Sequence, residues 1–162
     1  MKIITKIALV GLIVGFPLAS WYYLNNGLEY RRQALKDLAP KGQWTMEGVD
    51  KTDIEFYTNV IFCDSQLRDK MQQIYDQYAA SPTFQMIEVT GDKNYQAPWK
   101  SIYVEDYKGC GDDEIYLLDV ESQLRNTYTG DEKTLGKLVE HIAIVLPREK
   151  DPDIIVKNHE GE

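Results

Sequence analysis

Ile54-Glu-Phe-Tyr-Thr-Asn-Val-Ile-Phe62, Cys63-Asp64-Ser65 and Gln66 to Tyr78 run on without a break, and this passage decides the fold. The first part is rich in β-branched and aromatic residues, which predicts a strand. The last part sets Leu67, Met71, Ile74, Tyr75 and Tyr78 at helical spacing, one apolar face on a helix of about four turns. Between them, Asp64-Ser65 are good N-cap residues. Cys63 therefore stands at the mouth of a helix, where unpaired N–H groups and the macrodipole favour a thiolate. Dithiol or metal chemistry needs a second soft ligand close by, and the sequence holds no C-x-x-C and no C-x-x-x-C.

Downstream, Ser81-Pro82 stops the helix and Phe84 to Val89 reads as a second strand. A β-α-β unit of this kind takes a right-handed crossover with parallel strands. From Thr90 to Gly111 the pattern weakens: Asn94 to Trp99 reads as a loop, and Ser101 to Tyr107 as a short strand or an irregular connection. Ile115 to Val120 is a short apolar strand, Glu121-Ser122 a turn, and Leu124 to Tyr128 the return strand of a hairpin. Thr129, with Glu132 three residues on, forms a capping box. Leu135, Leu138, Val139, Ile142 and Leu146 give the helix that follows one apolar stripe, and Pro147 ends it. Upstream, Gln43 to Asp53 is a loop or weak strand in which Trp44 and Met46 plug the core. The order β-α-β, connection, hairpin, helix predicts an α/β thioredoxin-like domain with a mixed sheet over residues 44–147. Such a fold normally carries a second helix in the connection, and the sequence leaves room only for a remnant.

The chain has 162 residues and a net charge of −8. That balance excludes nucleic acid as a partner, because phosphate binding needs a basic surface. Ile7 to Leu24 carries no charge and reaches roughly the 18-residue minimum for a bilayer-spanning helix. Lys2 and Lys6 precede it, and Trp21, Tyr22 and Tyr23 close it like an interfacial aromatic belt. The expectation is one transmembrane anchor over residues 1–26, or alternatively a signal peptide. Asn25-Asn26-Gly27 breaks or ends that helix. A juxtamembrane helix and linker cover residues 27–43, and residues 148–162 form a charged tail.

Ile115-Tyr-Leu-Leu-Asp119-Val-Glu-Ser-Gln-Leu124-Arg125-Asn-Thr-Tyr128-Thr-Gly130, with Leu135 to Leu146, resembles the end of Sco/SenC proteins. Those are membrane-anchored, thioredoxin-fold factors that deliver copper to cytochrome c oxidase. Asp119, Arg125, Tyr128 and Gly130 fit the family pattern, and so does the stretch from Lys70-Met71. The resemblance implies a single-pass protein of the cell inner membrane with its domain on the periplasmic side. It also implies an accessory or assembly role beside a respiratory-complex partner. The metal-binding parts do not match. The family motif is Cys-x-x-x-Cys-Pro with a distant histidine, soft ligands that suit copper. Here the second position falls near Leu67 or Arg68, an arginine repels a cation, and neither His141 nor His159 is placed to replace the histidine. The expectation is that the standard copper site is lost and no cofactor is held.

Cys63 and Cys110 stay as redox or disulfide candidates and as the weak metal candidates. In the family their two places converge on one site. Three readings stand: a structural Cys63–Cys110 disulfide, two free thiols without chemistry, or a functional pair. Asp64, Asp112, Asp113 and Glu114 nearby oppose thiolate formation. No catalytic constellation appears. The alternatives to an assembly role are a structural accessory subunit of a membrane complex and a weak thiol-disulfide redox protein.

Overall fold

The structure, a computed structural model, describes residues 3–105 and 114–147, with side chains from residue 11 onward. Two compact units divide the chain, Met1–Pro40 and Lys41–Glu162.

The first unit is one helix, α1 (Ile3–Asp37), with Pro17 inside it. The expected break at Asn25-Asn26-Gly27 does not occur. One glycine lowers helix stability by only about 1 kcal/mol, too little to interrupt a helix of this length. Leu12, Phe16, Trp21, Tyr23 and Leu24 are all exposed. Among the described residues no helix is long and apolar enough to cross a membrane. The expected span starts at Ile7, among residues whose side chains lie outside the description.

In the second unit, β1 (Thr58–Phe62) is buried along its whole length. It sits at the centre of a five-stranded sheet of order β3-β2-β1-β4-β5. A 3₁₀ turn (Ser65–Leu67) leads into α2 (Arg68–Tyr78). The chain returns in β2 (Phe84–Thr90), parallel to β1, as the β-α-β reading requires. β3 (Lys100–Tyr103) adds a parallel edge strand beside β2. β4 (Ile115–Leu118) runs antiparallel to β1 on its other side, and β5 (Leu124–Tyr128) closes the hairpin. α3 (Glu132–Val145) follows. This mixed α/β arrangement is consistent with the expected thioredoxin-like fold.

Two local expectations are corrected. The strand begins at Thr58, not Ile54, because Phe56 takes a φ of 72° and turns the chain out of the sheet. The N-cap of α3 is Asp131, not Thr129. Its carboxylate accepts the Lys133 and Thr134 N–H groups at 3.1 Å each and the hydroxyls of Thr129 and Thr134. Those bonds, the Thr129 hydroxyl foremost, hold the Asp131 carboxyl far below the usual carboxylate range. A depressed folded-state pKa contributes stability that is complete above the unfolded value of about 4 and fades as pH falls below it. The stability gap between wild type and Asp131→Asn is therefore expected to shrink on acidification from about pH 5 downward. Urea melts at a series of pH values check this.

Strand alternation gives the sheet two faces. One carries Val60, Phe62, Met86, Glu88, Leu117, Ile115 and Tyr128, and both helices lie on it. Trp99 wedges between Phe62 and Tyr75 of α2, with ring centroids 5.6 and 5.8 Å away. The buried Tyr128 hydroxyl and His141 Nδ1 of α3 share a hydrogen bond of 2.8 Å. The helices also meet each other, where Tyr78 Oη donates to the Val139 carbonyl at 2.7 Å.

Among the described residues of this unit no α-helix covers the other face. Residues 41–57 cross it instead, and Trp44 and Ile54 join Ile61, Ile87, Val89 and Leu118 in a core cluster with Met46 packed against it. Trp44 and Met46 do plug the core. Four backbone bonds pin this cover to the β4–β5 turn: Lys41 N to Leu124 O, Leu124 N to Gly42 O, Trp44 N to Ser122 O, and Phe56 N to Val120 O.

The residues that carried the Sco/SenC pattern prove to be hairpin and packing devices. Asp119 accepts the Glu121 and Gln123 N–H groups at 2.9 Å and Arg125 Nε at 2.6 Å. A hydrogen bond to a charged group contributes about 1.5–3 kcal/mol. Asp119→Ala removes the common acceptor of all three, so a loss of about 2 kcal/mol in urea unfolding is expected. Gly130 leaves room for Leu67, whose Cδ2 would lie only 2.4 Å from a Cβ at that position.

Candidate functional site

β1 ends at Phe62, and the chain turns at Cys63 and Asp64 toward the helix. Asp64 is extended, and its carboxylate accepts the Gln66 N–H at 2.8 Å, capping the 3₁₀ turn. Leu67 points inward and is buried. Lys70, one turn into α2, donates to the Gly130 carbonyl at 2.6 Å and ties the helix start to the loop before α3.

Cys63 is half-buried against the cluster on the cover face, the face Ile61 also points into. It is disulfide-bonded. Cys110 lies outside the described residues.

The opposite face at the same end of the sheet holds a charged group that the sequence reading missed. Glu88 pairs with Phe62 across the parallel ladder and is only 1% exposed. Arg68, the first residue of α2, reaches it with Nε at 2.8 Å and a terminal guanidinium nitrogen at 2.7 Å, both on one oxygen. Trp99 Nε1 donates to the other oxygen at 3.0 Å. Both carboxylate oxygens are satisfied, as a buried charge requires. The Arg68 guanidinium also stacks on the Tyr95 ring, 3.5 Å from its centroid. Burial alone lowers the pKa of Arg68. The hydrogen bond and charge of Glu88 outweigh that and raise it. Burial, and next the charge of Glu88, raise the Tyr95 hydroxyl.

Arg68 thus stands one residue from where a second thiolate would belong, and it is already neutralised by an internal carboxylate. Such a pair fixes the start of α2 against β2. Among the described residues no group of three or more His, Cys, Asp or Glu side chains is placed to hold a metal ion. His141, on α3, is held by Tyr128. One signal for Glu88 was present in the sequence. A glutamate inside the apolar run Phe84 to Val89 is almost never buried without a partner.

No protein-family model matches this sequence. No curated protein matches it either. Four chains among solved structures do match. One is BsSco, a member of the Sco family of cytochrome c oxidase assembly proteins, studied for a disulfide switch. It is 10% identical, with 66% of this chain and 95% of that chain covered and a TM-score of 0.44.

Proposed function

We propose that this chain is a membrane-tethered, thioredoxin-like accessory or assembly protein. It acts by binding near a respiratory complex, and a Cys63–Cys110 disulfide stands where Sco/SenC proteins keep a copper site. The observation that carries this reading is the bonded state of Cys63, with the second thiolate position taken by the buried Leu67 next to the Arg68–Glu88 pair. A disulfide offers no thiolate to a soft metal, and a guanidinium repels a cation. Cys110 is the one other cysteine in the sequence. The exposed apolar side chains of α1, with Trp21, Tyr22 and Tyr23 at the end of the uncharged stretch, support a tether. The Asp119–Arg125 hairpin supports the family resemblance, since it gives those matching residues a shared structural purpose.

Maleimide mass-tagging in native membranes, with and without reductant, tests this, followed by Cu(I) titration of the purified protein. Both cysteines are expected to tag only after reduction, and the oxidised protein to bind no Cu(I). Free tagging of both thiols, with a Cu(I) affinity that vanishes in Cys63→Ser and Cys110→Ser, would overturn the proposal in favour of metal delivery.

A further inference from the structure

At the other end of β1, away from Cys63, the chain holds an aromatic side chain out in solvent by a strained turn. Phe56 is 78% exposed and has a φ of 72°. That left-handed conformation disfavours any residue with a Cβ, by about 1–2 kcal/mol. Tyr57 beside it is also exposed. The turn is actively fixed. Asn59, fully buried, donates through Nδ2 to the Ile54 carbonyl at 2.7 Å and to the Tyr57 carbonyl at 2.8 Å, bracketing Phe56. Its own Oδ1 has no hydrogen-bond partner among the described residues. The Phe56 N–H is held by the Val120 carbonyl at 3.2 Å. Backbone strain, an unpaired buried oxygen and an exposed ring all work against stability at one place. Strain maintained in this way collects at functional positions.

We infer that Phe56, flanked by Tyr57, is a preformed knob that docks into an apolar pocket with a basic rim on another protein. Rigid aromatic anchors of this kind dominate binding energy when a partner's pocket desolvates them. The surroundings select the partner's chemistry. Asp50 lies six residues before Phe56 and Glu121 follows Val120, whose carbonyl holds the Phe56 N–H; both are exposed, whereas Lys51 and Lys100 are already paired with Glu55 and Asp53. That acidic rim repels anionic lipid, and it repels a second copy of this chain presenting the same face.

The test uses the full chain in its native membranes. With Phe56→p-benzoyl-phenylalanine, irradiation is expected to give one discrete protein adduct. Adding Asp50→Lys and Glu121→Lys should reduce its yield about tenfold, and so should raised salt. An adduct to lipid, an adduct to a second copy, a yield indifferent to these charges, or no adduct each overturns the inference. A second measurement separates docking from folding. In Phe56→Gly, glycine accepts the positive φ freely, so the melting temperature is expected to stay equal or rise. A fall of more than about 4 °C would show that the ring belongs to the fold, and would also overturn the inference.

Discussion

Arg68→Ala is expected to destabilise the domain by about 3 kcal/mol, although it changes a side chain on the first turn of a surface helix. The loss comes from what is left behind. Glu88 is 1% exposed, so its carboxylate stays buried while one oxygen loses its cation and Trp99 serves only the other. Breaking a buried pair from one side costs about 3–5 kcal/mol; Arg68, with 30% of its side chain exposed, belongs at the low end. Replacing both partners behaves differently. Arg68→Met with Glu88→Leu removes the charge and fills similar volume, leaving the Trp99 N–H without an acceptor and removing the bond of the half-buried Tyr95 hydroxyl to Glu88. The double variant is expected to lose about 1–2 kcal/mol, less than the single one. Urea unfolding of the two variants and wild type decides this. A single variant within about 0.5 kcal/mol of wild type would mean that the pair contributes no more than an exposed ion pair does.

The second large effect concerns Cys63. A bond from Cys63 to Cys110 closes a loop of roughly 48 residues, for which the chain-entropy model gives about 4 kcal/mol. Cys63→Ser, Cys110→Ser and wild type in reductant are expected to share one urea midpoint, lower than that of the oxidised wild type by this amount. Reductant should do nothing further to either variant. The stretch the bond would close contains β2, β3 and Trp99, so all three would be restrained in the unfolded chain. Unequal midpoints for the two serine variants would show that the cysteines act separately, and the pairing would be wrong.

Local patterns made much of this domain legible. The helical stripe from Leu67 to Tyr78, the hairpin from Ile115 to Tyr128 and the stripe of α3 all encode their structure within a few residues. What escaped depends on contacts far apart in sequence. Arg68 was visible as a cation facing the expected metal position, but its carboxylate lies 20 residues on, and only the parallel register of β1 and β2 brings the two together. The cover over 41–57 has no helical or strand period, so apart from Trp44 and Met46 nothing announced that it fills the place of a helix. The β3 edge strand is only partly buried, which blurs its alternation. Phe56 looked like an ordinary strand residue, because a run of Ile, Phe and Tyr carries no sign of a positive φ. Of the candidate site, Cys63 and its helix mouth were legible. Its partner cysteine lies outside the described residues.

The way the cover is pinned has a consequence for the order in which the domain assembles. Its four backbone bonds to the hairpin all end on the Val120–Leu124 segment, which exists as a turn only once β4 and β5 have paired. β4 in turn pairs with β1 across more than half the length of the domain, a contact closed late because of its chain entropy. Residues 41–57 must therefore settle last and open first. Amide hydrogen exchange is expected to show Trp44 and Phe56 exchanging well before Val60 and Ile61, although Trp44 is buried in the same cluster as Ile61. A segment that detaches without unfolding the sheet uncovers the face against which Cys63 packs, so the Phe56 end and the Cys63 end of the domain are remodelled together.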